Sequence, residues 1–286
     1  MEDIGFIGLG RMGSVIAEKI DNTYGIKICY NRTASKIAEN LSSRSVGSPE
    51  EVMEKADIVF MIVTNSEASW EILQKIVKQG KGKLIVDMST ISHEQSLKNH
   101  EFSAKNNCSY MDAPVIGSVP AAMAGKLAAV CGGDETIFKK IRPILETFTS
   151  AQIYCGRSGN GIATKLVNNL VMGINMLAAS EGLSLARTLG LKDEITIEAL
   201  MSGGAASKIL ELKKNKLMRA DYSTEFSLEH QLKDLEYAVQ LQRNLGVPDF
   251  LSSMANSIFL LEKAEHGSDD MSSVMEYYRK KRPNDQ

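Results

Sequence analysis

A chain of 286 residues is long enough for about two domains, and its 43% hydrophobic and 24% charged residues exclude a disordered chain. A formal net charge of −2 supplies no electrostatic footprint for nucleic acid or an anionic membrane. In the first half, strands are predicted over residues 4–7, 26–30, 58–63, 84–88, 109–113, 127–130 and 152–154, and helices over 12–20, 35–41, 68–78, 93–105 and 135–147. Strands alternating with helices imply βαβ units and a largely parallel sheet, and a continuous apolar run such as IVFMIV suits a strand buried on both faces. From Gly161 the pattern becomes wholly helical. One long helix over 161–189 is closed by Gly190, and further helices are predicted over 195–201, 207–212, 228–244 and 250–265. The expected architecture is an α/β domain, 1–160, followed by an all-α domain, 161–286, joined by the long interdomain helix.

The N-terminal stretch GFIGLGRMG places Gly8, Gly10 and Gly13 directly after a strand and at the start of a helix. In that setting the first glycine permits the tight turn, the second lets the backbone approach a pyrophosphate, and the third lets helix pack on strand. Unpaired N–H groups at the helix start suit phosphate, so Gly8, Leu9, Gly10, Arg11, Met12 and Gly13 are the candidate cradle. The first domain, 1–160, is therefore expected to be an α/β Rossmann-type dinucleotide-binding domain, with the all-α domain, 161–286, for substrate and oligomerisation. The second strand ends in YNRT, with Asn31, Arg32 and Thr33 where an acidic residue would select NAD. A guanidinium suits a 2′-phosphate, so NADP is expected over NAD; the alternative is an ordinary exposed arginine.

Four histidines, His93, His100, His230 and His266, pair with no cysteine at metal-ligand spacing, and no metal is expected. His93 and His100 are read as a solvated helix face. Lys165 and Asn169 lie four apart on the long helix and project from one face. Ile162, Leu166, Val167, Leu170 and Val171 surround them. A desolvated lysine has a lowered pKa and can donate a proton near neutral pH, with Asn169 orienting a substrate oxygen or the ammonium. The competing reading is a lysine whose head reaches water. Cys29, Cys108, Cys131 and Cys155 form no C-x-x-C pair and are expected to be free thiols. No leader is visible after Glu2 and Asp3, and no apolar run reaches the ~20 residues of a membrane span. A soluble cytoplasmic protein is expected, with the basic run Arg279, Lys280, Lys281 and Arg282 as a solvated tail.

Five segments in order, GFIGLGRMG, VDMST, DAPVIGSVPAAMAGKLAAVCGG, GRSGNGIATKLVNN and FSLEHQLKDL, resemble the β-hydroxyacid dehydrogenase family over essentially the whole chain. The resemblance implies that Lys165 is the catalytic lysine and Asn169 its partner. It implies that Thr90 contacts the cofactor near the nicotinamide, and Thr64 joins the candidate cofactor contacts. Gly117 and Ser118 fall in the segment that receives a substrate carboxylate, where glycine-turn N–H groups bind anions well. Lys233 corresponds to a lysine reaching the cofactor, Asp234 beside it supports the site, and Phe226, two helical turns earlier, is placed on the same face or in the core. Where many members read PVSGG this chain reads PVIGS, so Ile116 replaces a serine. That pattern, with NRT, is more like the glyoxylate and succinic semialdehyde reductase branch than 3-hydroxyisobutyrate dehydrogenase. The implied activity is NADPH-dependent reduction of a small carboxylate-bearing aldehyde or keto acid, in a homodimer or homotetramer. The alternatives are a 3-hydroxyacid dehydrogenase running oxidatively and a non-catalytic dinucleotide-binding regulator. A 6-phosphogluconate dehydrogenase is usually much longer, with histidine where Asn168 stands.

Overall fold

Period-two alternation builds the first half. In the computed structural model, which describes residues 2–279, β1 (Ile4–Ile7), β3 (Ile58–Met61) and β4 (Leu84–Asp87) are buried throughout. Ile4, Phe6, Ile58, Phe60, Leu84 and Val86 enter one core. Ile7, Val59, Met61 and Ile85, their alternates, enter another on the opposite face. With β2 (Ile28–Tyr30) and β5 (Ser109–Asp112) these strands form a five-stranded sheet, ordered β2-β1-β3-β4-β5, parallel at every pairing. A second sheet orders β6 (Val115–Ile116), β7 (Leu127–Cys131) and β8 (Thr149–Tyr154), antiparallel and then parallel.

The helices of this half are α1 (Arg11–Tyr24), α2 (Glu39–Ser42), α3 (Pro49–Lys55), α4 (Ser66–Ile76), α5 (His93–Lys105), α6 (Val119–Met123) and α7 (Glu135–Leu145). Side-chain caps start several of them: Ser48 on α3, Asn65 on α4, Ser92 on α5 and Asp134 on α7 each accept a first-turn N–H. Where a continuous helix over 35–41 is expected, a 3₁₀ turn at Ala34–Lys36 and the single turn of α2 stand instead.

Helix α8 (Asn160–Thr188) runs for 29 residues. By its contacts the chain divides into Met1–Lys165 and Leu166–Gln286, and α8 is continuous across that division. By length and composition an 18-residue window of α8 is apolar enough to cross a membrane, contrary to the expectation of no such run, and 44% of that window is buried within the chain. The second unit continues with α9 (Asp193–Met201), α10 (Lys208–Arg219), α11 (Leu228–Asn244), α12 (Phe250–His266) and α13 (Met275–Arg279). Its core joins Met176 and Leu183 of α8 to Leu217, Leu228, Leu232, Leu235 and Phe259. Of the basic run at 279–282, Arg279 pairs with Glu276; Lys280, Lys281 and Arg282 lie outside the described residues.

Candidate active site

The turn between β1 and α1 is shaped by its three glycines. Gly8 sits at φ +96°, and a Cβ there would stand 2.0 Å from the Ile62 carbonyl oxygen. A Cβ on Gly13 would stand 2.0 Å from the Gly8 carbonyl oxygen, so both positions require glycine. Gly10 differs: nothing lies within 4 Å of where its Cβ would be, and it caps α1 with no side-chain bond and no acidic residue in the first turn. The space and a helix start with no side-chain cap fit a pyrophosphate. Arg11 is exposed and Met12 half-buried beside this opening. The Leu9 N–H donates to Asn31 Oδ1 at 2.9 Å, and Asn31 Nδ2 donates to the Thr33 carbonyl at 2.8 Å. Asn31 thus ties the glycine turn to the exit of β2, where Arg32 and Thr33 are exposed.

Thr64 and Thr90 follow the C-terminal ends of β3 and β4, where open parallel sheets bind ligands. Their loops are braced by a buried polar group. Asp87 accepts from Ser69 Oγ at 2.7 Å, Tyr110 Oη at 2.9 Å and the Ser89 N–H at 2.9 Å. Ser89 Oγ in turn accepts the Val63 N–H at 2.8 Å, and Ser66 Oγ accepts the Ser92 N–H at 3.0 Å. Burial pushes the Asp87 carboxyl up, opposed by these hydrogen bonds. Thr64 is exposed and Thr90 half-buried.

The segment after β5 turns along β7, with Val115 opposite Ala129 and Ile116 opposite Ala128. Gly117 follows at φ +129°, and a Cβ there would stand 2.6 Å from Leu127 Cδ2. Ser118 caps α6 without spending its hydroxyl on the helix. Lys165 is only 7% exposed and projects from the second turn of α8. That helix begins against Asp112, whose Oδ1 accepts the Gly159 N–H at 2.8 Å and whose Oδ2 accepts the Ile162 N–H at 2.9 Å. Burial pushes the Asp112 carboxyl up to about 7, and those two N–H groups pull it back. The α5 histidines differ from expectation: they dock the turn before α8 instead of forming a solvated face. His100 Nδ1 and Ser158 Oγ are 2.9 Å apart, and a Cβ on Gly159 would stand 3.0 Å from His93 Nε2. Burial, with Arg157 nearby, lowers the His93 pKa.

In the second unit Asn169 is fully buried. Its Nδ2 donates to Asp234 Oδ2 at 2.6 Å, its Oδ1 accepts from Asn168 Nδ2 at 2.9 Å, and its backbone carbonyl accepts from Gln231 Nε2 at 2.9 Å. Lys233 lies 3.1 Å from Asp234 Oδ1 and 5.3 Å from the centroid of the Tyr237 ring. Asn169, Asp234 and Lys233 therefore form one cluster. Gln231 belongs to it and was missed; its signal is an amide within the apolar stripe Leu228, Leu232 and Leu235. Phe226 does not share the Lys233 helix face, because α11 starts after its cap at Ser227. It stacks on His230 with ring centroids 6.2 Å apart, and its N–H donates to Asp270 at 3.2 Å. Despite burial, Asp270 is held below the usual carboxylate range by Lys213.

A family model described as the NAD binding domain of 6-phosphogluconate dehydrogenase matches residues 3–156. One described as the NAD-binding of NADP-dependent 3-hydroxyisobutyrate dehydrogenase matches residues 159–278. The chain belongs to the β-hydroxyacid dehydrogenase family. It is therefore an NAD(P)-dependent oxidoreductase acting on CH–OH groups. This dehydrogenase is 30% identical to glyoxylate/succinic semialdehyde reductase 2, chloroplastic, of Arabidopsis thaliana, over 96% of its own length and 78% of the relative's. It is 32% identical to 2-(hydroxymethyl)glutarate dehydrogenase of Eubacterium barkeri, over 96% and 94% of the two chains. Among solved structures, a 3-hydroxyisobutyrate dehydrogenase of Mycobacterium tuberculosis with L-serine superposes with a TM-score of 0.90 at 26% identity, covering 98% and 99% of the chains. A nicotinamide dinucleotide is the cofactor of the dehydrogenase.

Proposed function

We propose that the chain is an NADPH-dependent reductase of small carboxylate-bearing aldehydes or keto acids, with glyoxylate and succinic semialdehyde as its leading candidates. The observation that carries the chemistry is Lys165, a buried ammonium on the second turn of α8. The bound cofactor supplies hydride from C4 of its nicotinamide. Lys165 stabilises the oxygen on which negative charge develops and gives it a proton. Asn169, fixed by Asn168, Gln231 and Asp234, keeps one amide N–H and one lone pair for orienting substrate. The exposed backbone at Gly117 and the Ser118 hydroxyl receive the carboxylate. Support for glyoxylate and succinic semialdehyde comes from GSVPA at 117–121 and from the identity to the Arabidopsis reductase. Initial rates with NADPH and NADH on glyoxylate, succinic semialdehyde and methylmalonate semialdehyde test the reading. Preference for NADH and the last compound would instead favour a 3-hydroxyisobutyrate dehydrogenase, the reading that the Mycobacterium structure supports.

NADPH is favoured because Arg32 is exposed directly after β2, with no acidic side chain at Asn31 or Thr33. Arg32→Ala is expected to raise KM for NADPH by roughly 10- to 100-fold, the worth of one charged hydrogen bond, and to leave KM for NADH nearly unchanged. Equal changes for both cofactors would remove Arg32 from the choice.

We place the enzyme in the cytoplasm, a reducing compartment that suits its four free thiols, and assign it a homodimer or homotetramer. Helix α12 supports assembly: Phe250 is 83% exposed, and Met254 and Leu261 continue the same stripe beside Leu251. Phe250→Asp is expected to shift the protein to a smaller species in size-exclusion chromatography with light scattering. An unchanged mass would take this face out of the interface.

A further inference from the structure

Asp112 stands where the two sheets meet. It is the last residue of β5, and it bridges Gly132 just past the end of β7, its N–H donating to the Gly132 carbonyl at 3.2 Å and its own carbonyl accepting the Gly132 N–H at 2.8 Å. Four residues later the same strand path reaches Ile116, and then Gly117 and Ser118. Its carboxylate points the other way, into the start of α8, where each oxygen takes one backbone N–H, from Gly159 and from Ile162.

The approach is close enough to dictate glycine on both sides. A Cβ on Gly161 would stand 2.7 Å from Asp112 Oδ2 and 2.6 Å from the Val130 carbonyl oxygen. One on Gly132 would stand 2.8 Å from Asp112 Oδ2 and 2.7 Å from the Gly161 nitrogen. Asp112, Gly132, Gly159 and Gly161 thus form one interlock, far apart in sequence and in contact in space. An anion satisfying first-turn N–H groups also faces the positive end of the helix. Ile162 lies three residues before Lys165, so a bond to its N–H fixes the turn from which Lys165 projects.

We infer that Asp112 is a positioning residue: by clamping the first turn of α8 to the end of β5, it holds Lys165 in register with the carboxylate-receiving segment at Gly117 and Ser118. The inference rests on the proposed role of Lys165. Its function is geometric. A residue elsewhere that shifts a catalytic group by about 1 Å can cost 10²-fold in rate.

A double-mutant cycle tests it, using Asp112→Asn, Lys165→Ala and the double variant in the full-length enzyme, with NADPH affinity followed by fluorescence titration. Asp112→Asn keeps the side chain's size but sets an amide NH₂ against one of the two N–H groups. It is expected to lower kcat by roughly 10- to 100-fold without changing NADPH affinity, and to add less than about twofold in the Lys165→Ala background. An equal loss in both backgrounds would show a general structural role and overturn the inference. If Lys165→Ala itself costs nothing, the reading of Lys165 fails, and the positioning role with it. In the wild-type enzyme, NMR amide exchange at Gly159 and Ile162 decides the clamp without any substitution. Slow exchange is expected, and exchange at the rate of an open loop would overturn it whatever Lys165 does.

Discussion

Lys165→Ala is expected to lower kcat by roughly 10²–10⁴-fold, the usual contribution of a positioned general acid, while the affinity for the dinucleotide stays near that of the native enzyme. The side chain is buried on α8, and in the proposed mechanism it donates a proton and is not part of the glycine turn assigned to the cofactor. Lys165→Arg separates the two contributions of the ammonium. A guanidinium keeps the positive charge but does not give up a proton, so a large residual loss in this variant assigns the rate to proton transfer. Recovery of most of the rate assigns it to charge. Single-turnover rates with either variant check the prediction, and turnover at the native rate in Lys165→Ala would take the residue out of the mechanism.

The second large effect is expected at the glycine turn, where two neighbouring positions respond in opposite ways. Gly13→Ala drives a methyl to 2.0 Å from the Gly8 carbonyl oxygen and 2.8 Å from Ile62 Cγ2. Overpacking of that kind costs about 1–3 kcal/mol or more, read as a fall in Tm of about 2–4 °C for each kcal/mol in a chain of this size. Gly10→Ala meets nothing within 4 Å, at a φ of −77° that alanine adopts freely. Its Tm is expected to stay near the native value, while NADPH and NADH both bind at least about tenfold more weakly, since one lost charge-assisted hydrogen bond alone costs about 1.5–3 kcal/mol. Thermal melts beside fluorescence titrations distinguish the two variants. Native affinity in Gly10→Ala would mean that the pyrophosphate does not approach there.

What the sequence made legible was local. Helices α5 and α11 fall at 93–105 and 228–244 as expected, because Ser92 and Ser227 are strong caps and the runs after them are uninterrupted. The parallel sheet follows from buried strands alternating with helices. Helix α3 was missed although Ser48, Pro49 and Glu51 are a helix start in their own right, and β6 is two residues long, too short for any periodicity. That Lys165 and Asn169 lie four apart on one helix was legible from the sequence. Asp112, Gln231 and the histidines of α5 were not. Their partners lie 47 to 62 positions away, and a carboxylate at a strand end looks the same in sequence whether it caps a distant helix or meets water.

Asn31 bears on how coenzyme preference in this enzyme can be changed. Its amide is turned inward at both ends, to Leu9 on one side and Thr33 on the other. On the reading of Arg32 proposed above, it stands as a shared wall between the part of the site common to every dinucleotide and the part that tells one from another. Substitution there is expected to disturb both parts together. Redesign from one coenzyme to the other is thereby channelled to Arg32 and Thr33, the two exposed side chains that follow, where a charge can be exchanged while the turn beneath keeps its shape.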